Sequence, residues 1–133
     1  MYDHIGLKVK DLDASVRFYS AALGGLGLVL CSRDDAGAGF GPPGQPTLWL
    51  HVAGKGDRPD KAGGTHIAFR AAARGAVNRF HEDGLGAGGR DNGGPAVRAD
   101  YGPTYYAAFL IDPDGHNVEA VCDLQESRDG LDS

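Results

Sequence analysis

DHIGLKVK at residues 3–10 and THIAFRAA at residues 65–72 are one segment written twice, and that likeness decides the fold. His4 falls over His66, Ile5 over Ile67, Leu7 over Phe69 and Lys8 over Arg70, a displacement of 62 residues. The same displacement carries Arg17 and Phe18 onto Arg79 and Phe80, and Leu23 and Gly24 onto Leu85 and Gly86, without a gap. A register kept across a strand-like segment and the helix-like segment behind it marks an internal repeat.

Within the first copy, Ile5, Leu7 and Val9 alternate with His4, Gly6 and Lys8, the period of a strand with one buried face. Asp11 or Asp13 can cap a following helix, because a short carboxylate accepts from the unpaired N–H groups of a first turn. Leu12, Val16, Tyr19 and Leu23 would form its apolar stripe, and Gly24 with Gly25 would end it. The second copy predicts a helix near residues 75–83, closed by Gly84 and Gly86. Further strands are predicted at residues 27–31, 47–52, 96–98, 105–111 and 117–122. Each half is thus a strand, a helix and about three more strands. The glycine-rich stretches at 36–46, 53–59 and 86–95 read as turns and surface loops, where Gly supplies positive φ and Pro fixes φ. The tail at 125–133, nearly without apolar residues, is expected to be flexible.

A chain of 133 residues suits one domain, expected over residues 1–124 with modules of about 1–60 and 61–124. No apolar run approaches the roughly 20 residues that span a bilayer, so no membrane partner is expected. Charges recur from Asp3 onward, unlike a secretory signal, which makes a cytoplasmic location the expectation. A net charge of -5 without any Lys/Arg run argues against nucleic acid and for a small-molecule partner. Cys31 and Cys122 have neither zinc-site nor disulfide-framework spacing and are expected to be buried thiols.

Strand phase then locates the chemistry. His4 and His66 lie on the faces opposite their helix-packed apolar series, and the next residues on those faces, Gly6 and Ala68, are small enough to leave a cavity. In the last strand Val118, Ala120 and Cys122 share one face and Glu119 takes the other. A single strand histidine is ordinarily a hydrogen-bonded, half-buried side chain. Two at equivalent positions, with a carboxylate in phase, point instead to a divalent transition metal (Zn, Ni, Fe, Mn or Co) held with open positions for substrate. Trp49 and His51 share one phase of the 47–52 strand. Of Tyr105 and Tyr106, alternation allows only one to face a cavity, and Arg98 could neutralise an anionic substrate unless it is a solvated strand-end residue. DPDG at 112–115 reads as a tight turn rather than a calcium loop, with His116 beside it and His81 on the second helix both expected at the surface.

Taken together, the opening DHIGLKVKDLDASVRFYSAALG, the segment GTHIAFRA and the ending YYAAFLIDPDGHNVEAV resemble the glyoxalase/bleomycin-resistance/dioxygenase (vicinal oxygen chelate) superfamily over nearly the whole chain. The resemblance implies an α+β fold of two βαβββ modules forming a curved mixed sheet around a central cup, in a homodimer. Its metal ligands would be His4, His66 and Glu119, with the neighbourhood of His51 supplying a fourth, and Glu119 would also be the catalytic base; beside it, the residues themselves offer Trp49, Arg98, Tyr105 and Tyr106 as candidate substrate contacts, with only one of the two tyrosines facing the cavity. It implies a metal-dependent lyase or isomerase, or a dioxygenase, acting on a small molecule with vicinal oxygens. A metal-free bleomycin-resistance-like binder and a fosfomycin-type thiol transferase are the alternatives. The family position near His51 often holds Glu in glyoxalase I enzymes, a departure that counts against that activity.

Overall fold

The computed structural model describes residues 1–59 and 65–124, so the expected tail and the module boundary near residue 60 lie outside the described residues. The first module runs β1 (Ile5–Val9), α1 (Leu12–Gly24), β2 (Val29–Arg33), β3 (Gly37–Gly41) and β4 (Leu48–Val52). The second runs β5 (His66–Arg70), α2 (Arg74–Gly86), β6 (Arg90–Val97), β7 (Tyr105–Ile111) and β8 (Asn117–Asp123). The two helices keep the 62-residue displacement at both ends. Each module forms a four-stranded mixed sheet, β1-β4-β3-β2 and β5-β8-β7-β6, in which the first strand runs parallel to the last.

Asp11 caps α1 by accepting from the Ala14 N–H, and the predicted stripe of Leu12, Val16, Tyr19 and Leu23 is buried. The corresponding stripe of α2 is Ala76, Val77, Phe80 and Gly84. Gly84 does not close this helix, as its sequence position suggested, but lies inside it at the contact with α1. A Cβ there would sit 2.4 Å from Leu110 Cδ1 and 3.3 Å from both Ala22 Cβ and Phe18 Cε1. The absence of a side chain therefore sets how closely the two halves pack, and their helices join one core with Leu7, Leu50, Leu110 and Val118.

Two glycine-rich stretches read as loops are strands. Residues 37–41 form β3 because Ala38 and Phe40 alternate into the core, while Gly37, Gly39 and Gly41 face outward where there is no room for side chains. Residues 90–97 form β6, whose register against β7 shifts around Gly93 and admits Pro95 at a sheet edge. Turn composition misleads in both cases, since the edge strand and the crowded face each favour Gly. Cys31, expected to be buried, is only half-buried, whereas Cys122 is buried as expected. Among the described residues no helix is long and apolar enough to cross a membrane.

The DPDG turn is bound into the core. Asp112 Oδ1 accepts the backbone N–H groups of Asp114 and His116, at 2.9 and 2.8 Å. Its Oδ2 accepts the Tyr19 hydroxyl at 2.6 Å and pairs with His116 Nδ1 at 2.8 Å. Asp114 accepts the Lys10 N–H at 2.9 Å and, more weakly, the Ser15 hydroxyl at 3.4 Å. Gly115, at φ +97, completes the turn in a conformation that other residues rarely adopt. His116, expected at the surface, is buried because this turn closes against α1 of the other module.

Candidate functional site

β5 and β8 run side by side with Ala68 opposite Glu119 and His66 opposite Asn117. Alternation turns Ile67, Phe69, Val118 and Ala120 toward the core, which leaves His66 and Glu119 on the helix-free face. Both border a cavity of about 200 Å³ together with Asn92, Tyr101, Phe109 and Asn117. Glu119 is only 8% exposed, and burial pushes its carboxyl above the ordinary 4.5, against the opposing pull of His66 and Arg98.

Arg98 stands beside this pair. Its guanidinium lies 4.8 Å above the ring of Phe109, the residue directly opposite Glu119 on β7, and donates to the carbonyls of Gly94 and Ala107. Among the described residues its buried Nε has no hydrogen-bond partner. Tyr105 shares this face, edge-on to Tyr101 at 5.2 Å, and borders a larger cavity of about 530 Å³ with Ala68, Arg70, Val121 and Asp123. Tyr106 points the other way, donating to Asn78 of α2 at 2.6 Å beneath the Arg74 guanidinium. Of the two tyrosines, Tyr105 is the one on the Glu119 face.

His4 stands apart from this pair within the chain. Its Nδ1 is 2.7 Å from Asp3, and it borders a different cavity, of about 160 Å³, which reaches Ala68 but not Glu119. Among the described residues His4, His66 and Glu119 do not gather within 4.8 Å of one another. The trio that does is Asp112, Asp114 and His116. There, both Asp112 oxygens already accept two hydrogen bonds each and Asp114 accepts two more, so those groups serve as an interlock between modules rather than as metal donors. This interlock left no sign in the sequence beyond a turn motif, because its partners on α1 lie about a hundred residues away.

On the first module the helix-free face carries Gly6, Lys8, Trp49 and His51, with Gly6 opposite Trp49 and Lys8 opposite His51. Gly6 is the repeat counterpart of Ala68, so Trp49, and not His51, occupies the position equivalent to Glu119. His51 leans back over β1, its Nε2 3.8 Å from where a Gly6 Cβ would stand, and its ring lies within 18° of the indole plane at 6.4 Å. His81, expected at the surface, is half-buried and tied to Asp91 of β6 at 2.8 Å.

The donor chemistry of His66 and Glu119 suits a divalent transition ion: a borderline nitrogen and a hard oxygen on one face, with the carboxylate in surroundings that penalise an uncompensated negative charge. A cation would offset that penalty.

Comparison with known proteins agrees with this architecture. The sequence profile of the Glyoxalase/Bleomycin resistance protein/Dioxygenase superfamily matches residues 2–120. A glyoxalase/bleomycin resistance protein from Albidiferax ferrireducens T118 is similar at 27% identity and TM-score 0.80, covering 92% of this chain and 98% of that one. A glyoxalase-related enzyme from Fulvimarina pelagi shares the fold at 23% identity and TM-score 0.69, over 89% of this chain and 84% of that one. So does a V278E glyoxalase I mutant from Zea mays at 22% identity and TM-score 0.71, over 95% of this chain and 47% of that one. Among curated proteins none matches significantly.

Proposed function

The chain belongs to the glyoxalase/bleomycin resistance protein/dioxygenase superfamily, and from that premise we propose a metal-dependent enzyme, of lyase/isomerase or dioxygenase type, acting on a small molecule with vicinal oxygens. The observation that carries the reading is the β5–β8 register, which supports a joint role for His66 and Glu119 at one cavity. In this reading they hold a divalent transition ion in one copy of the chain, and His4 of a second copy completes the set. Exposed edge strands β1 and β5 and the separation of His4 from Glu119 favour such a homodimer. A cytoplasmic setting goes with it.

The bound ion would act as a Lewis acid on the substrate's oxygens. Arg98, fixed over Phe109, favours the ionised form of Glu119 and steadies negative charge on the ligand. Glu119 accepts a proton from the substrate carbon or hydroxyl, and Tyr101 and Phe109 line the cavity in which it does so. His51, leaning over Gly6, is a further donor close to the place His4 serves. Trp49 at the Glu119-equivalent position removes the second carboxylate that a paired acid/base isomerisation would use. That single observation favours, as the second reading, a binding protein that sequesters its ligand without turnover.

Elemental analysis of the purified protein tests the proposal. One divalent transition ion per chain is expected, with loss of the ion in Glu119→Ala while the far-UV CD spectrum is preserved. Unchanged metal content in that variant, or none in the wild type after incubation with Zn, Ni, Fe, Mn and Co ions, would overturn it. Turnover assays on glutathione hemithioacetals and catechols separate enzyme from binder.

A further inference from the structure

We infer that Trp49 is a specificity-determining residue, and that the substrate is an aryl compound whose planar ring lies on the indole while its vicinal oxygens reach His66 and Glu119. The inference rests on the proposed function and names the carbon skeleton that the same site takes.

The first ground is register. In the second module the residue across from Ala68 is Glu119; in the first, the residue across from the equivalent Gly6 is Trp49. One repeat presents a carboxylate and the other an indole at the same point of the same face. Indole is a hydrogen-bond donor only and takes no proton at ordinary pH, so this position contributes contact and not acid/base chemistry.

The second ground is how the ring is seated. Core packing of β4 falls to Leu48 and Leu50, both buried, whereas Trp49 belongs to no part of the core. Its ring lies over Gly39 of β3: a Cβ there would stand 2.8 and 2.9 Å from ring carbons Cζ3 and Cη2, and 3.0 Å from Pro46 Cβ. Gly37 and Gly6, on the same face, lie under the neighbouring His51 ring, whose Nδ1 and Nε2 would stand 3.5 and 3.8 Å from Cβ atoms there. The indole is half-buried, with its benzo edge against Gly39 and the His51 ring nearly parallel beside it. A large ring on the helix-free face, seated over Gly39 and outside the core cluster, makes a stacking surface.

The third ground is the opposing wall. Tyr101 and Phe109 border the Glu119 cavity, and Tyr105 meets Tyr101 edge-on. When the first-module face of one copy covers the second-module face of another, as the proposed function requires, a planar ring sits between Trp49 and these aromatics. Such contacts add about ten-fold in affinity beyond area burial alone.

Trp49 is the one tryptophan in the sequence, so its emission reports directly on the site. Mandelate and lactate serve as matched probes, since both carry hydroxyl and carboxylate oxygens on adjacent carbons and differ in phenyl against methyl. With the full-length protein loaded with Zn²⁺, mandelate is expected to bind about ten-fold more tightly than lactate and to change the Trp49 emission. By calorimetry, Trp49→Ala should bring the two within about two-fold by weakening mandelate alone, and Trp49→Phe should keep part of the preference. Both variants leave the core untouched, and a preserved CD spectrum checks this. Equal affinity in the wild type, a preference that survives in Trp49→Ala, or no binding of mandelate each overturns the inference. Metal content measured on the same samples tells whether the metal centre fails as well: bound zinc with no phenyl preference refutes the role of Trp49 alone.

Discussion

Replacing Tyr19 by Phe should destabilise the domain by about 2 kcal/mol, the value of a buried hydrogen bond to a charged acceptor. The hydroxyl donates to Asp112 Oδ2 over 2.6 Å, both residues are essentially inaccessible, and burial followed by the Asp112 charge holds the phenol well above its ordinary pKa, so it remains a donor. Losing it leaves Oδ2 with the His116 contact alone, in a place water cannot reach. The ring packing against Phe18 and Phe40 is retained, which restricts the loss to the hydrogen bond. For a chain of this length that corresponds to about 6–10 °C in melting temperature. Because the bond joins α1 of one module to the β7–β8 turn of the other, urea unfolding should stay a single transition with a lower midpoint and an unchanged slope. A loss below about 0.5 kcal/mol would refute the view that Asp112 locks the modules together.

The same interlock sets a pH window. His116 is held above its ordinary 6.5 chiefly by the Asp112 hydrogen bond, so its contribution is complete below 6.5 and fades as pH rises through the raised value. Burial would raise Asp112, but the hydrogen bonds from His116 and Tyr19 outweigh it and hold the carboxyl below 3.8; its contribution is present above 3.8 and fades as pH falls through the lowered value. Stability should therefore be greatest between these limits, and His116→Ala should flatten the alkaline side of the profile in chemical denaturation. Glu119 carries the opposite sign: burial raises its pKa, so ionisation weakens the metal-free fold as pH rises, and Glu119→Gln should raise the metal-free melting temperature at pH 7 while abolishing metal binding. An unchanged or lower melting temperature would contradict that reasoning.

The repeat, both helices and the outward phase of His66 and Glu119 were legible because each rests on local periodicity. What escaped were features decided by distant neighbours. Gly37, Gly39 and Gly41 read as punctuation until Trp49 and the adjacent backbone explain why that face of a strand excludes side chains. His116 reads as exposed because Asp112, which holds it, is tied to Tyr19, 93 positions before that aspartate in the chain. Trp49 and His51 share a phase, so only the pairing with Gly6 and Lys8 distinguishes which one is the counterpart of Glu119. The convergence of His4 with Glu119 was expected from symmetry within one chain. The fold keeps them at separate cavities, and symmetry between chains is what the proposed function now invokes.

A mixing experiment tests this shared centre most directly. His4→Ala and Glu119→Ala should each bind no stoichiometric metal alone. Unfolded together at equal concentration and refolded, they should form half mixed dimers by random pairing. Each mixed dimer carries one intact site, which pairs His4 of the Glu119→Ala chain with His66 and Glu119 of the His4→Ala chain. Recovery of about one ion per four chains is expected. No recovered metal in a mixture shown by mass spectrometry to contain mixed dimers, or full metal retention by His4→Ala alone, would contradict it.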